Sequence, residues 1–415
     1  MPKISNIHAH KVLNSRGNWT ISTEVELEDG SKGHGEIPEG ASKGGFEAKS
    51  VDPGLAVDLI NHNLGPNFCG IEASDQSGVD KRLIELDNTS DKSRLGENTT
   101  LSVSLAVANA MAYSLRKPLY RYLSEIFKTR QERFPTPLFN VINGGMHARN
   151  GLSFQEFLVV PARNLNYEKA LDIGAKVYKI LGQVLLERRF SLDIGDEGGY
   201  SPKEFSASSA LGILCESIQR SGFKLYEEVF VGIDAASNSF YKEGSYVIPE
   251  ERLSLDSDRL LSYYEVLKGK YPLIYIEDPF AEGDFKAWSL FNEKFGGSVL
   301  VVGDDLTVTN VERLNNALSH KCNNAVIVKP NQIGTLTETY QFVNKAKENN
   351  LTTIISHRSG EAVEDTFIAD FAVAINADYL KAGAPAHERV AKYNRLLEIY
   401  GEINNIEGYC NLYKL

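Results

Sequence analysis

Six short apolar runs, each ending in a charged or polar residue, recur through the second half of the chain and constrain its fold more than any other feature. They are Val229-Phe-Val-Gly-Ile-Asp234, Leu273-Ile-Tyr-Ile-Glu277, Val299-Leu-Val-Val-Gly-Asp304, Ala325-Val-Ile-Val-Lys329, Thr352-Thr-Ile-Ile-Ser-His357 and Tyr379-Leu-Lys381. From Glu277 onward the terminal residues lie 27, 25, 28 and 24 positions apart. A strand, a loop and a returning helix need about that length, since a βαβ unit takes roughly 30 residues. Near-continuous apolar strands belong to a parallel sheet covered by helices. Six in one direction predict a closed β/α barrel, with an open doubly wound sheet as the alternative. In a barrel the strand C-termini share one face, so the six terminators would converge on one pocket.

The segment before these runs has another rhythm. Ile21–Glu28 alternates up to the turn Asp29-Gly30, and Ser31–Glu36 resumes beyond it, a hairpin signal. From about Asp58 to Lys128 the pattern is helical, with a run of small and apolar residues after Leu101. Phe134-Pro-Thr-Pro-Leu138 carries two closely spaced prolines that no helix can run through. A boundary is expected there, giving an α+β unit over 1–134 and an α/β unit over 135–415. The 415 residues suit two such domains.

Charge narrows the partners. With 44 Lys+Arg against 55 Asp+Glu the formal net charge is −11, which disfavours general binding to nucleic acid or to membrane surfaces. Cys69, Cys215, Cys322 and Cys410 are scattered and form no C-x-x-C, so neither a disulfide framework nor a structural zinc site is expected. No apolar run reaches the ~18 residues that span a bilayer, and no signal-peptide core opens the chain. The expectation is a cytoplasmic enzyme acting on a small molecule.

Three terminators are acidic: Asp234, Glu277 and Asp304. Carboxylates converging at a barrel mouth repel one another unless a cation lies between them, and hard oxygen ligands suit Mg²⁺. Lys329 and Lys381 are terminators too, and a lysine beside a metal ion and a second lysine is expected to have a lowered pKa and to act as a base. Ser356-His-Arg-Ser-Gly360 offers His357, a bidentate Arg358 and a hydroxyl on Ser359 as an oxyanion seat. Gly195-Asp-Glu-Gly-Gly199 places Glu197 in a glycine-rich turn, and Gln155-Glu156 precedes an apolar run; each alone is unremarkable. His8-Ala-His10 has an H-x-H form but sits on an expected strand. Gly40-Ala-Ser-Lys-Gly-Gly45 lacks nucleotide-loop spacing, and neither G-x-S-x-G nor G-x-G-x-x-G occurs.

Taken in order along the chain, these residues resemble the enolases. The likeness includes Asn14-Ser-Arg-Gly-Asn18, Gly40-Ala-Ser42, Asn143-Gly-Gly-Met-His-Ala148, Gln155-Glu-Phe157 and Gly195-Asp-Glu-Gly-Gly199. It continues through Ile276-Glu-Asp-Pro-Phe280, Gly303-Asp-Asp-Leu-Thr-Val-Thr-Asn310, Lys329-Pro-Asn-Gln-Ile-Gly334, Ser356-His-Arg-Ser-Gly-Glu361 and Lys381-Ala-Gly-Ala-Pro385. The resemblance implies an N-terminal α+β capping domain on a modified C-terminal β/α barrel. It implies interconversion of 2-phosphoglycerate and phosphoenolpyruvate, two Mg²⁺ ions per site, the second arriving with substrate, and a homodimer. It implies Asp234, Glu277 and Asp304 as ligands of the first ion and Ser42 of the second. Lys329 would be the base and Glu197 the acid, with Glu156 beside it. His147, Gln155, Glu156, His357, Arg358, Ser359 and Lys381 would hold the substrate.

Departures gather over the site. Glu39 and Lys43 replace serine and threonine in the capping loop, the stretch from Glu47 to Gly65 is short, and Met146 replaces a small residue. Asn14, Trp19 and Ser239 also differ, and the loop Ser359–Asp365 is one residue longer. None removes a catalytic group, but several sit where substrate is covered. The alternatives are a divergent relative acting on a related phosphate or phosphonate of a three-carbon acid, and a catalytically silent binding protein.

Overall fold

The computed structural model describes residues 1–41, 44–130, 133–203, 205–363 and 365–404. The expected hairpin is there: β2 (Trp19–Leu27) pairs antiparallel with β3 (Lys32–Glu36). On its other edge β2 pairs with β1 (Ile4–Leu13), completing a three-stranded sheet. The helix Glu97–Ser114 lies across this sheet and is buried along nearly its whole length. Its run of alanine and serine explains the close approach. A Cβ at Gly33 would sit 2.0 Å from the Ala110 nitrogen, and one at Gly35 2.2 Å from the Ser102 oxygen.

The second half closes into a barrel. Its strands are β4 (Thr136–Asn143), β5 (Glu156–Pro161), β6 (Val229–Asp234), β10 (Leu273–Glu277), β11 (Leu300–Gly303), β12 (Ala325–Val328), β13 (Thr352–Ser356) and β14 (Tyr379–Lys381). Between β6 and β10 a small antiparallel sheet is inserted: β7 (Tyr241–Lys242), β8 (Ser245–Ile248) and β9 (Leu253–Leu255). β14 pairs with β4, which shuts the ring and excludes the open sheet. From β6 through β14 and on to β4 every barrel pairing is parallel, whereas β5 runs against both neighbours. Two helices, Tyr167–Glu187 and Ala207–Arg220, intervene between β5 and β6. The architecture is therefore a modified barrel whose opening units depart from simple βα repetition.

Inside the ring, Leu138, Leu158, Val160, Tyr275, Val302, Ile327 and Ile354 pack on one another, filling the barrel with side chains as such barrels require. The N-terminal unit sits over the carboxyl ends of the strands. Glu39 and Gly360 exchange two backbone hydrogen bonds, of 2.7 and 2.8 Å, and the Ser15 N–H donates to the Glu361 carbonyl at 2.9 Å. Buried Lys92 pairs with Glu338 at 2.8 Å.

Candidate active site

The six terminators all arrive at one end. Asp234, Glu277 and Lys381 are the last residues of β6, β10 and β14, while Asp304, Lys329 and His357 immediately follow β11, β12 and β13. The reversal of β5 matters here: its first residue, Glu156, is level with Asp234 and with Asn143, so a strand start lies among strand ends. One cavity is lined by His147, Gln155, Glu156, Glu197, Asp234, Lys329, His357, Arg358, Ser359 and Lys381, with Gly40 of the capping segment above them. Glu277 and Asp304 stand directly behind, bonded to Lys381 and Lys329. Ser42 and Lys43 lie outside the described residues.

Charges of opposite sign interlock. The Lys381 ammonium lies 2.7 Å from Glu156 Oε2, 2.8 Å from Glu277 Oε2 and 3.6 Å from Asp234 Oδ2. Burial opposes its charge, yet these carboxylates outweigh it and hold the pKa well above the ordinary lysine value. Lys381 is thus a fixed positive charge. Lys329 donates to Asp304, whose other oxygen accepts from Gln332 Nε2 at 2.8 Å. The sequence led us to expect a lowered pKa at Lys329. Among protein groups alone the shift is upward, because the adjoining Asp304 carboxylate overcomes burial and repulsion by Arg358 and Lys381.

Glu197 and Glu156 form the acidic counterpart. Asn140 Nδ2 donates to Glu197 Oε2 at 2.8 Å, and His357 Nε2 stands 3.3 Å from the same oxygen. His147 Nδ1 lies between the two glutamates, 3.5 Å from Glu197 and 3.6 Å from Glu156. Burial, then the facing charge of Glu197, pushes Glu156 well above the usual carboxylate range. Burial also acts on Glu197, but His147 and His357 overcome it and hold that carboxyl well below the range. The two buried carboxyls are thus pushed in opposite directions, Glu156 upward and Glu197 downward. Burial lowers His147 to about 4.

The third part is the Arg358-Ser359 pair expected to hold an anion. Arg358 Nη1 pairs with buried Glu47 Oε2 at 3.0 Å. The same Glu47 accepts the Gly44 N–H at 3.0 Å, which ties the capping segment to Arg358. A Cβ at Gly40 would meet Arg358 Nη2 at 1.9 Å, so a side chain there would displace the guanidinium. Ser359 Oγ accepts the Ala41 N–H at 2.6 Å.

The acidic residues fit a hard divalent cation. Ligand atoms of Glu156, Asp234 and Glu277 lie within 4.8 Å of one another, and those of Asp278, Asp304 and Asp305 do likewise. Every donor in both groups is a carboxylate oxygen, the set that Mg²⁺ takes. Glu277 is fully buried, and its Oε1 has no hydrogen-bond partner, as an oxygen reserved for a cation would. Burial and the charge of Glu277 push Asp234 well above its usual range, a cost that a bound cation relieves. Asp304 stands in the second group, beside Asp278 and Asp305, while Asp234 and Glu277 group with Glu156. Asp278 clamps the turn that carries Asp304: its carboxylate accepts the N–H groups of Asp304 at 3.0 Å and Asp305 at 2.8 Å.

Several contributors escaped the sequence reading. Asn140 and Glu47 act through tertiary contacts outside any quoted motif, whereas Asp278 and Gln332 lie within quoted motifs that do not announce their shared partner Asp304. His8 and His10 lie exposed on β1, away from the site. Two family models cover the chain. Residues 4–123 match the one described as the enolase N-terminal domain, and residues 131–412 match the enolase C-terminal TIM barrel domain.

Proposed function

The chain belongs to the enolase family, and from that premise we propose that it is a Mg²⁺-dependent lyase interconverting 2-phosphoglycerate and phosphoenolpyruvate. One observation carries the reading: Lys329, the Glu156–Glu197 pair and the Arg358-Ser359 seat all line a single cavity. Removing the proton beside a carboxylate creates a dianion, so the reaction needs a base, fixed positive charge and an acid for the leaving hydroxyl. Lys329 is the base at carbon 2. Lys381, held charged, faces the substrate carboxylate. Glu197 serves the carbon-3 hydroxyl, with Glu156 beside it. Arg358 and Ser359 grip the phosphate. Two Mg²⁺ ions, one at Asp234, Glu277 and Asp304 and one reached by Ser42, would neutralise substrate charge and the Asp304 carboxylate that otherwise keeps Lys329 protonated.

Among the described residues no helix is long and apolar enough to cross a membrane. A cytoplasmic homodimer is part of the same proposal, supported by family membership. The test is direct: 2-phosphoglycerate and Mg²⁺ added to the purified chain should give a rise in ultraviolet absorbance from the enol phosphate. Excess chelator should abolish the rise, and added Mg²⁺ should restore it. No rise from folded, metal-supplied protein would refute the assignment and favour a related phosphate or phosphonate of a three-carbon acid.

A further inference from the structure

Arg389 is an arginine with no exposed surface, in the short turn His387–Arg389 that precedes the last helix. Burying a guanidinium is costly unless its donors are all met. Here they are: a guanidinium has five N–H groups, and five acceptors surround it. Nε donates to Glu388 Oε1 at 3.0 Å. Nη2 donates to the carbonyls of Asp196 at 2.7 Å and Ser359 at 2.6 Å. Nη1 donates to the Arg358 carbonyl at 2.7 Å, and its other hydrogen meets His357 Nδ1 at 2.7 Å.

The last contact decides the state of the imidazole. A guanidinium cannot accept a hydrogen bond, so a nitrogen 2.7 Å from it must present a lone pair. A proton on Nδ1 would set donor against donor, which excludes both the Nδ1–H tautomer and the doubly protonated ring. The competing acceptor for an Nδ1 proton is Glu361 Oε1, at 3.9 Å. That oxygen already accepts the Arg358 N–H at 3.1 Å, and Glu361 is further engaged by Lys392. The single proton therefore sits on Nε2, which is buried, has no well-aligned partner and stands 3.3 Å from Glu197 Oε2.

We propose that Arg389 is a positioning residue that locks His357 as the neutral Nε2–H tautomer, aiming its one proton at Glu197 and the cavity. Through the carbonyls of Asp196, Arg358 and Ser359 the same guanidinium joins the turn bearing Glu197 to the anion seat. The roles of Glu197 and of the seat rest on the proposed function. The state of His357 does not, because it follows from contacts within the protein.

The test needs no substrate. Nitrogen NMR of the full-length, histidine-labelled chain near pH 7.5 distinguishes a protonated ring nitrogen from a bare one, and loss of a signal in His357→Gln identifies the residue among the eight histidines. The expected result is a bare Nδ1 and a protonated Nε2. In Arg389→Met the proton should shift toward Nδ1, whereas Arg389→Lys, which keeps one donor, should retain the Nε2–H form. A protonated Nδ1 in the unaltered chain, or an Arg389→Met spectrum unchanged from it, would overturn the proposal. Should Arg389→Met fail to fold, the unaltered chain and Arg389→Lys still decide.

Discussion

His147 lies between two carboxyl groups, yet burial outweighs the attraction of Glu197 and brings its pKa down to about 4. An unfolded histidine titrates near 6.5. As pH falls below that value the unfolded chain takes up a proton that the folded chain refuses until about pH 4. Stability is therefore lost progressively across that window and the loss levels off below it. At 1.36 kcal/mol per pKa unit, this one group accounts for about 3 kcal/mol. In His147→Gln, the urea unfolding midpoint should fall less steeply between pH 6.5 and pH 4 than in the unaltered chain. Parallel pH profiles would contradict the buried neutral histidine. At this scale the sequence was informative wherever a candidate residue ends or directly follows a strand, as Asp234, Glu277, Lys329 and Lys381 do. Asn140 lies inside β4 and Arg389 beyond the last strand, and their partners lie 57 and 32 residues away. No local pattern announces such contacts.

Among the elements, β3 and the helix Glu97–Ser114 approach closely at two glycines, Gly33 and Gly35. Gly33→Val would place a branched side chain where a Cβ alone stands 2.0 Å from the Ala110 backbone nitrogen and 2.4 Å from the Ala106 oxygen. Backbone cannot yield as a flexible side chain can, so the cost should reach the upper end of the ~1–3 kcal/mol typical of overpacking, or exceed it. Urea denaturation should show a clearly lower midpoint, and an unchanged one would mean the helix is free to move away. The hairpin and the parallel strands were legible because alternation and unbroken apolar runs are local properties. The direction of β5 was not, since Phe157-Leu-Val-Val reads alike both ways. The connection from Asn143 to Glu156 contains only the three-residue helical turn Gly145–His147, not the long helix that a parallel crossover usually carries. Reversal is what brings Glu156 among the strand ends.

At the scale of the whole molecule, the barrel supplies the charged groups and the N-terminal unit covers them. Gly40 lies on Arg358, Glu47 pairs with it, and Ala41 donates to Ser359. In the proposed reaction closure and phosphate binding would share these side chains, and the departure at Glu39 is joined to Gly360, next to Ser359, by two backbone hydrogen bonds. In the proposed reaction this covered cavity divides the work between a base, Lys329, and an acid pair fronted by Glu197. The most direct measurement is NMR of 2-phosphoglycerate incubated with Mg²⁺ and each variant in heavy water. Lys329→Ala should abolish both turnover and exchange of the carbon-2 proton. Glu197→Gln should block loss of water while exchange persists, because the dianion still forms and is reprotonated by Lys329. Exchange that survives in Lys329→Ala would contradict the account.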